Sequence, residues 1–156
     1  MTETAITAEL LKTLPLFSEV SRKSLAILAG RCRLESFEEG DLIFAEGHRG
    51  DRMFVVLEGA VNLSRDVEGV GEELYAVCRE GSYFGELSMI DDSPRSADAR
   101  VLESTTVMTI SKAAMEELMF QDPSFAREIL WVMTRHLAVR LRETGEKLRA
   151  VYQMQL

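Results

Sequence analysis

Cysteine and histidine are scarce in this chain, with two of each among 156 residues. Cys32 and Cys78 have no metal-ligand spacing, and they are too few for a disulfide framework or a four-cysteine iron–sulfur cluster. A reduced, cytoplasmic setting is the expectation. His48 falls among turn residues and His136 within a helical stretch, so a loop residue and a helix-surface residue are expected. With neither a nucleophile–base pair nor a metal set, the chain does not read as an enzyme. Its apolar runs stay far below the about 18 residues that span a membrane. Met1-Thr2-Glu3-Thr4 lacks the basic-then-apolar pattern of a secretory leader. Positive charge is also short: 18 Lys and Arg face 26 Asp and Glu, a net −8. From Phe125 to Tyr152 the balance is +3, leaving −11 for the rest. An acidic body argues against direct nucleic-acid binding, which rests on neutralising phosphates, and the basic stretch reads as a solvated helix face.

What is present is a single domain's worth of core-forming sequence, 46% hydrophobic and 28% charged. Three regions separate within residues 1–156: helices over 1–33, short β-like runs over 34–110, and helices again over 111–156. In the first, Leu10, Leu11 and Leu14 share a face, Pro15 breaks the helix, and Ser21 caps a second one carrying Leu25, Ile27 and Leu28. In the second, glycines bracket Leu42–Glu46, Met53–Glu58, Ala60–Arg65 and Leu74–Cys78, and Asp98–Leu102 and Thr105–Ile110 add two more strands. These glycines, Gly59 included, read as turns that need positive φ. Many short strands with no intervening long helix predict an antiparallel sandwich or barrel, not a parallel α/β sheet. In the third, Ser111 caps a helix and Asp122-Pro123 starts another. There Leu130, Thr134, Leu137, Leu141, Thr144, Leu148, Val151 and Gln155 recur in steps of four and three, a seam able to pack on a partner helix. Ile129, Trp131, Val132 and Met133 make the first turns apolar nearly all round and suit docking on the chain's own body.

The richest stretch is Phe84-Gly85-Glu86-Leu87-Ser88-Met89-Ile90-Asp91-Asp92-Ser93-Pro94-Arg95-Ser96-Ala97. Gly85 permits close backbone approach and opens an apolar segment, Leu87 to Ile90, long enough for one or two helical turns. The N-terminus of such a segment offers unpaired N–H groups to a phosphate. Arg95, after the Pro94 turn, can return to that phosphate with a bidentate fork. Glu86 would repel an anion but can accept hydrogen bonds from hydroxyls beside it. One phosphate with an adjacent free hydroxyl describes a cyclic nucleotide. The plainer alternative is a surface bend in which Glu86 and Arg95 pair with each other.

The run resembles the phosphate-binding cassette of the cyclic nucleotide-binding domain family, with F-G-E-L followed by P-R-S-A and Arg95 nine positions after Glu86. Phe37 to Gly47 and Asp51 to Gly59 are similar to the family's opening strands, so the resemblance runs from about Leu14 to about Leu148. It implies an antiparallel β-roll (a double-stranded β-helix or jelly roll) with N-terminal helices and a long C-terminal helix. It also implies a ligand, cyclic AMP or cyclic GMP, and no other cofactor. By resemblance Glu86 receives the ribose 2′-hydroxyl and Arg95 the cyclic phosphate, with Gly85, Ser96 and Ala97 completing the cradle and Phe84, Leu87 and Ser88 adjoining it.

Arg140 to Leu148 resembles the helix of family transcription factors in which a Thr followed by a Ser reaches the base. Thr144 is then the base contact. Gly145 stands where the Ser would be, which removes one hydroxyl and costs about 1 kcal/mol relative to Ala in a helix. A DNA-reading domain would follow this helix in those factors, and the chain stops at Leu156. A free-standing sensor signalling through a protein surface, or the effector fragment of a larger regulator, are both consistent with that. A haem-type or ligand-free module of the same fold is the alternative within the superfamily. Homodimerisation through the C-terminal helix, an unknown protein partner or output domain, and no membrane contact complete the expectations.

Overall fold

The computed structural model describes residues 5–156; Met1–Thr4, read above for a leader, lies outside the described residues. Helix α1 (Ala8–Thr13) begins where the Thr7 hydroxyl accepts from the Leu10 amide, and ends at Leu14, whose backbone turns extended ahead of Pro15. A 3-10 turn (Pro15–Phe17) leads to α2 (Arg22–Ala29), capped by Ser21 as its sequence predicts. Six strands follow in chain order: β1 (Arg33–Phe37), β2 (Leu42–Phe44), β3 (Arg52–Val67), β4 (Gly71–Arg79), β5 (Tyr83–Phe84) and β6 (Asp98–Ser111). Helix α3 (Glu86–Asp91) interrupts β5 and β6, and α4 (Lys112–Gln121) and α5 (Pro123–Met154) close the chain.

All pairings are antiparallel. Strands β3 and β6 pair with each other and act as spines. Along β6, β2 occupies one end and β1 the other; along β3, β5 takes the first half and β4 the second. This is the expected antiparallel β-roll with flanking helices and a long C-terminal helix.

Two boundaries differ from the sequence reading. Met53–Glu58 and Ala60–Arg65 are one strand, and so are Asp98–Leu102 and Thr105–Ile110. Gly59 is not a turn but a bulge inside β3, with φ +97° and register shifts on both sides. A Cβ there would come within 2.3 Å of the Thr105 hydroxyl, which itself bonds the Ala60 amide at 3.1 Å. The bulge bends β3 while its pairing with β6 resumes on either side.

Side-chain alternation along the spines sorts two cores. Met53, Val55, Met108 and Ile110 face the helices and join Leu11, Phe17, Leu25, Leu28, Phe125 and Ile129. Phe54, Val56 and Val107 face the roll interior with Val61, Cys78, Phe84 and Ala99. Both faces being covered explains why Met53–Val56 reads as an unbroken apolar run.

Helix α5 starts at Asp122, whose carboxylate accepts from the Ser124 and Phe125 amides at 3.0 and 3.1 Å. Its first half buries Phe125, Ile129, Val132 and Met133. Trp131 departs from expectation: it is 64% exposed, on the face of the helix turned away from that core. In the second half Leu141, Leu148 and Val151 are exposed. None of the helices among the described residues is long and apolar enough to cross a membrane.

Candidate functional site

Strand β5 delivers the chain to Gly85, which takes φ +78° and turns it directly into α3. A Cβ at Gly85 would lie 2.7 Å from the Arg95 guanidinium and 3.2 Å from the Phe54 ring, so only glycine fits. The helix extends from Glu86 to Asp91, one residue beyond the predicted Leu87–Ile90 at each end. Asp91 accepts from the Ser93 amide at 3.0 Å, and the chain then reaches Pro94 and Arg95. The Arg95 backbone is pinned to the facing loop, its amide donating to the His48 carbonyl at 2.8 Å and its carbonyl accepting from Gly47 at 2.9 Å. His48 is the loop residue expected of it.

Arg95 is 4% exposed. Its two terminal nitrogens donate to the Gly85 and Arg52 carbonyls, each at 2.8 Å, and its guanidinium lies 4.2 Å from the Phe44 ring centroid. Its Nε has no partner. No carboxylate pairs with it among the described residues, and burial lowers its pKa from the ordinary value, with the charge of Asp51 opposing. Gly50 lies against the same group: a Cβ there would sit 2.4 Å from that of Ser88 and 2.8 Å from the guanidinium. Gly50 is therefore a packing glycine, not one of the positive-φ turns expected of the region.

Glu86 is 3% exposed and does not pair with Arg95. Its partner is Arg140 of α5, which also donates to the Tyr83 carbonyl at 2.9 Å and lies 4.3 Å from the Tyr83 ring centroid. Burial raises the Glu86 pKa, and the Arg140 charge is the first influence working against that rise. The surface-bend alternative fails on both counts, since both groups are buried and each has other partners. Arg140 went unassigned in the sequence reading. One signal pointed to it: it precedes Thr144 by four residues, so the two share a helix face.

All nine residues singled out from the sequence (Phe84, Gly85, Glu86, Leu87, Ser88, Arg95, Ser96, Ala97 and Thr144) line one cavity of about 260 Å³. Phe44, Leu63, Tyr75, Leu137, Arg140 and Leu141 complete its wall. Thr144 donates its hydroxyl back to the Arg140 carbonyl at 2.9 Å, which leaves oxygen lone pairs free to accept. Gly145 has open space where a Cβ would project. His136, expected on the helix surface, is half-buried with its ring edge-on to Tyr83, centroids 5.6 Å apart. Burial pushes the Cys32 and Cys78 thiols up to about 12 and about 11; Cys78 is buried in the roll core and Cys32, half-buried, packs against the helical one.

The cavity thus has a cationic end with a buried, uncompensated guanidinium, a carboxylate beside it, and an apolar end with two hydroxyl-bearing side chains. The family model for the cyclic nucleotide-binding domain matches residues 34–122. A CRP-like cAMP-activated global transcriptional regulator of Mycobacterium tuberculosis is 28% identical over 140 residues, covering 90% of this chain and 61% of the regulator. A cAMP-dependent protein kinase regulatory subunit of Debaryomyces hansenii is 30% identical over 111 residues, covering 71% of this chain and 24% of the subunit. The crystal structure of a cyclic nucleotide-binding domain from Methylobacillus flagellatus superposes with a TM-score of 0.80 at 26% identity, over 90% of this chain and 79% of that one. This chain spans less than two thirds of either full-length relative.

Proposed function

This chain belongs to the cyclic nucleotide-binding domain family, and from that premise we propose that it is a non-enzymatic receptor for a 3′,5′-cyclic nucleotide, cyclic AMP ahead of cyclic GMP. The observation that carries this reading is Arg95: a guanidinium held at a cavity wall by two carbonyls, with its Nε unpartnered and no carboxylate on it among the described residues. A buried cation in that state is costly until an anion arrives. A singly charged cyclic phosphate supplies that charge.

Glu86, paired on one side by Arg140, accepts the ribose 2′-hydroxyl with its remaining lone pairs. The heterocycle then lies toward Thr144. Because the Thr144 hydroxyl already donates to the Arg140 carbonyl, it serves the ligand best as an acceptor. Adenine presents an amino donor there and guanine a carbonyl, which favours cyclic AMP by a modest margin. The name of the mycobacterial relative, cAMP-activated, supports the same ligand.

The ligand touches α3 through Glu86 and α5 through Thr144, while Arg140 already ties these two elements together. Binding therefore biases the position of α5 to the extent that nucleotide affinity differs between helix positions. The exposed Leu148 and Val151 on the second half of α5 suit pairing with a second copy of the chain. The output passes to a protein partner or a further domain.

Calorimetric titration with cyclic AMP and cyclic GMP, on wild type and Arg95→Ala, tests the reading. Losing a buried charge-assisted contact costs about 2–5 kcal/mol, so Arg95→Ala weakens binding by about 30-fold or more. An unchanged dissociation constant removes the assignment.

A further inference from the structure

The register of β4 holds an irregularity that the nucleotide contacts above do not use. Leu63 of β3 pairs with Ala76 and the next residue, Ser64, pairs with Leu74, so Tyr75 has no cross-strand partner. It is the extra residue of a β-bulge, a device that re-aims a side chain out of the regular alternation. Tyr75 thereby joins Leu63 in the cavity wall, across from Leu137, Leu141 and Thr144 of α5. The Arg65 guanidinium lies over the Tyr75 ring at 5.5 Å and approaches Glu73 at 4.0 Å, which steadies the ring from one side. The ring is still 50% exposed.

We propose that Tyr75 is the platform on which the nucleotide base stacks, a role that rests on the nucleotide reading of this cavity. With the phosphate on Arg95 and the sugar on Glu86, the heterocycle reaches the end walled by Leu63, Tyr75, Leu137 and Leu141. The side chains lining that end are apolar or carry a hydroxyl, and no carboxamide is among them to read a base by paired hydrogen bonds. A flat aromatic ring backed by a cation offers stacking instead, which every base accepts. Tyr75 accordingly sets how tightly any purine is held, and Thr144 sets which purine is preferred.

The test titrates cyclic AMP and cyclic GMP into wild type, Tyr75→Phe and Tyr75→Ala. Base–aromatic stacking lost to alanine weakens binding by about 5- to 150-fold, and the half-exposed ring places the expected loss near the lower end, equally for both nucleotides. Tyr75→Phe keeps the ring and stays within about twofold of wild type on the same principle. A second readout uses 2-aminopurine riboside 3′,5′-cyclic monophosphate, whose fluorescence is quenched by a stacked aromatic. At saturation it is dim on wild type and Tyr75→Phe and bright on Tyr75→Ala. Equal bound brightness on wild type and Tyr75→Ala, or unchanged affinity in Tyr75→Ala, overturns the proposal while leaving the cavity assignment standing. A wild-type protein that binds none of the three nucleotides overturns both.

Discussion

Arg140→Met removes the contact that joins α5 to Glu86 of α3 while keeping an unbranched, flexible side chain. Two unit charges about 4 Å apart attract by about 4 kcal/mol at an effective dielectric near 20. Glu86 is almost fully buried, but the Arg140 side chain is 42% exposed, so solvent screens much of that attraction. What remains is set by leaving a buried carboxylate without its charged partner, about 1–3 kcal/mol. A double-mutant cycle with Glu86→Gln, read by urea unfolding without nucleotide at neutral pH, should give a coupling of about 1–2 kcal/mol. The pH dependence provides a second readout. Burial raises the Glu86 pKa above its ordinary value of 4.5, so folding stability is fully present below that value and is lost as pH rises through the folded one. Arg140 limits that rise, and Arg140→Met therefore loses stability more steeply between mildly acidic and neutral pH than wild type does. A coupling within about 0.3 kcal/mol of zero would mean that Arg140 does not stabilise the buried Glu86 carboxylate.

Two further outcomes follow from neighbouring groups. Thr144→Val removes one neutral hydrogen bond, worth about 0.5–1.5 kcal/mol, so cyclic AMP affinity falls about 2- to 13-fold while cyclic GMP changes less; calorimetry on both ligands checks it, and an untouched preference assigns Thr144 to the helix alone. Burial and the charges of Arg140 and Arg135 lower the His136 pKa from its ordinary 6.5, with Glu19 opposing, so neutral His136 contributes stability above that pH that is lost as pH falls through the lower folded value. Thermal unfolding from pH 5 to 8 should therefore show an acid-side decline that is shallower in His136→Gln, and identical slopes would detach His136 from α5 docking.

Much of the site was legible because its constraints are local. Gly85, Glu86, Pro94 and Arg95 lie within one run of fourteen residues, Phe84 to Ala97, and each has a separate physical reason for its identity. The caps at Ser21 and Ser111 and the helix start at Asp122-Pro123 were legible for the same reason: a helix start is decided by a residue and the few amides after it. The remainder depends on register and on long-range docking. A glycine between two apolar runs reads as a turn, and only the partner strand shows that Gly59 bends β3 instead of ending it. Tyr75 is unremarkable in sequence because its bulge exists only relative to β3. Arg140 stands 54 positions from Glu86 and was hidden in a helix read for its apolar seam. That seam in turn serves two surfaces, since Leu137 and Leu141 line the chain's own cavity while Leu148 and Val151 remain exposed. Trp131 was grouped with its apolar neighbours, although one step along a helix rotates a side chain by about 100° away from them.

Amide hydrogen exchange with and without saturating cyclic AMP reports at once where the nucleotide sits and whether α5 responds. Exchange should slow in two separated segments together, residues 85–97 around Arg95 and residues 137–148 of α5, with Arg95→Ala abolishing both changes. Protection confined to some other surface, or saturating nucleotide that leaves both segments unchanged, would contradict the nucleotide reading of the cavity.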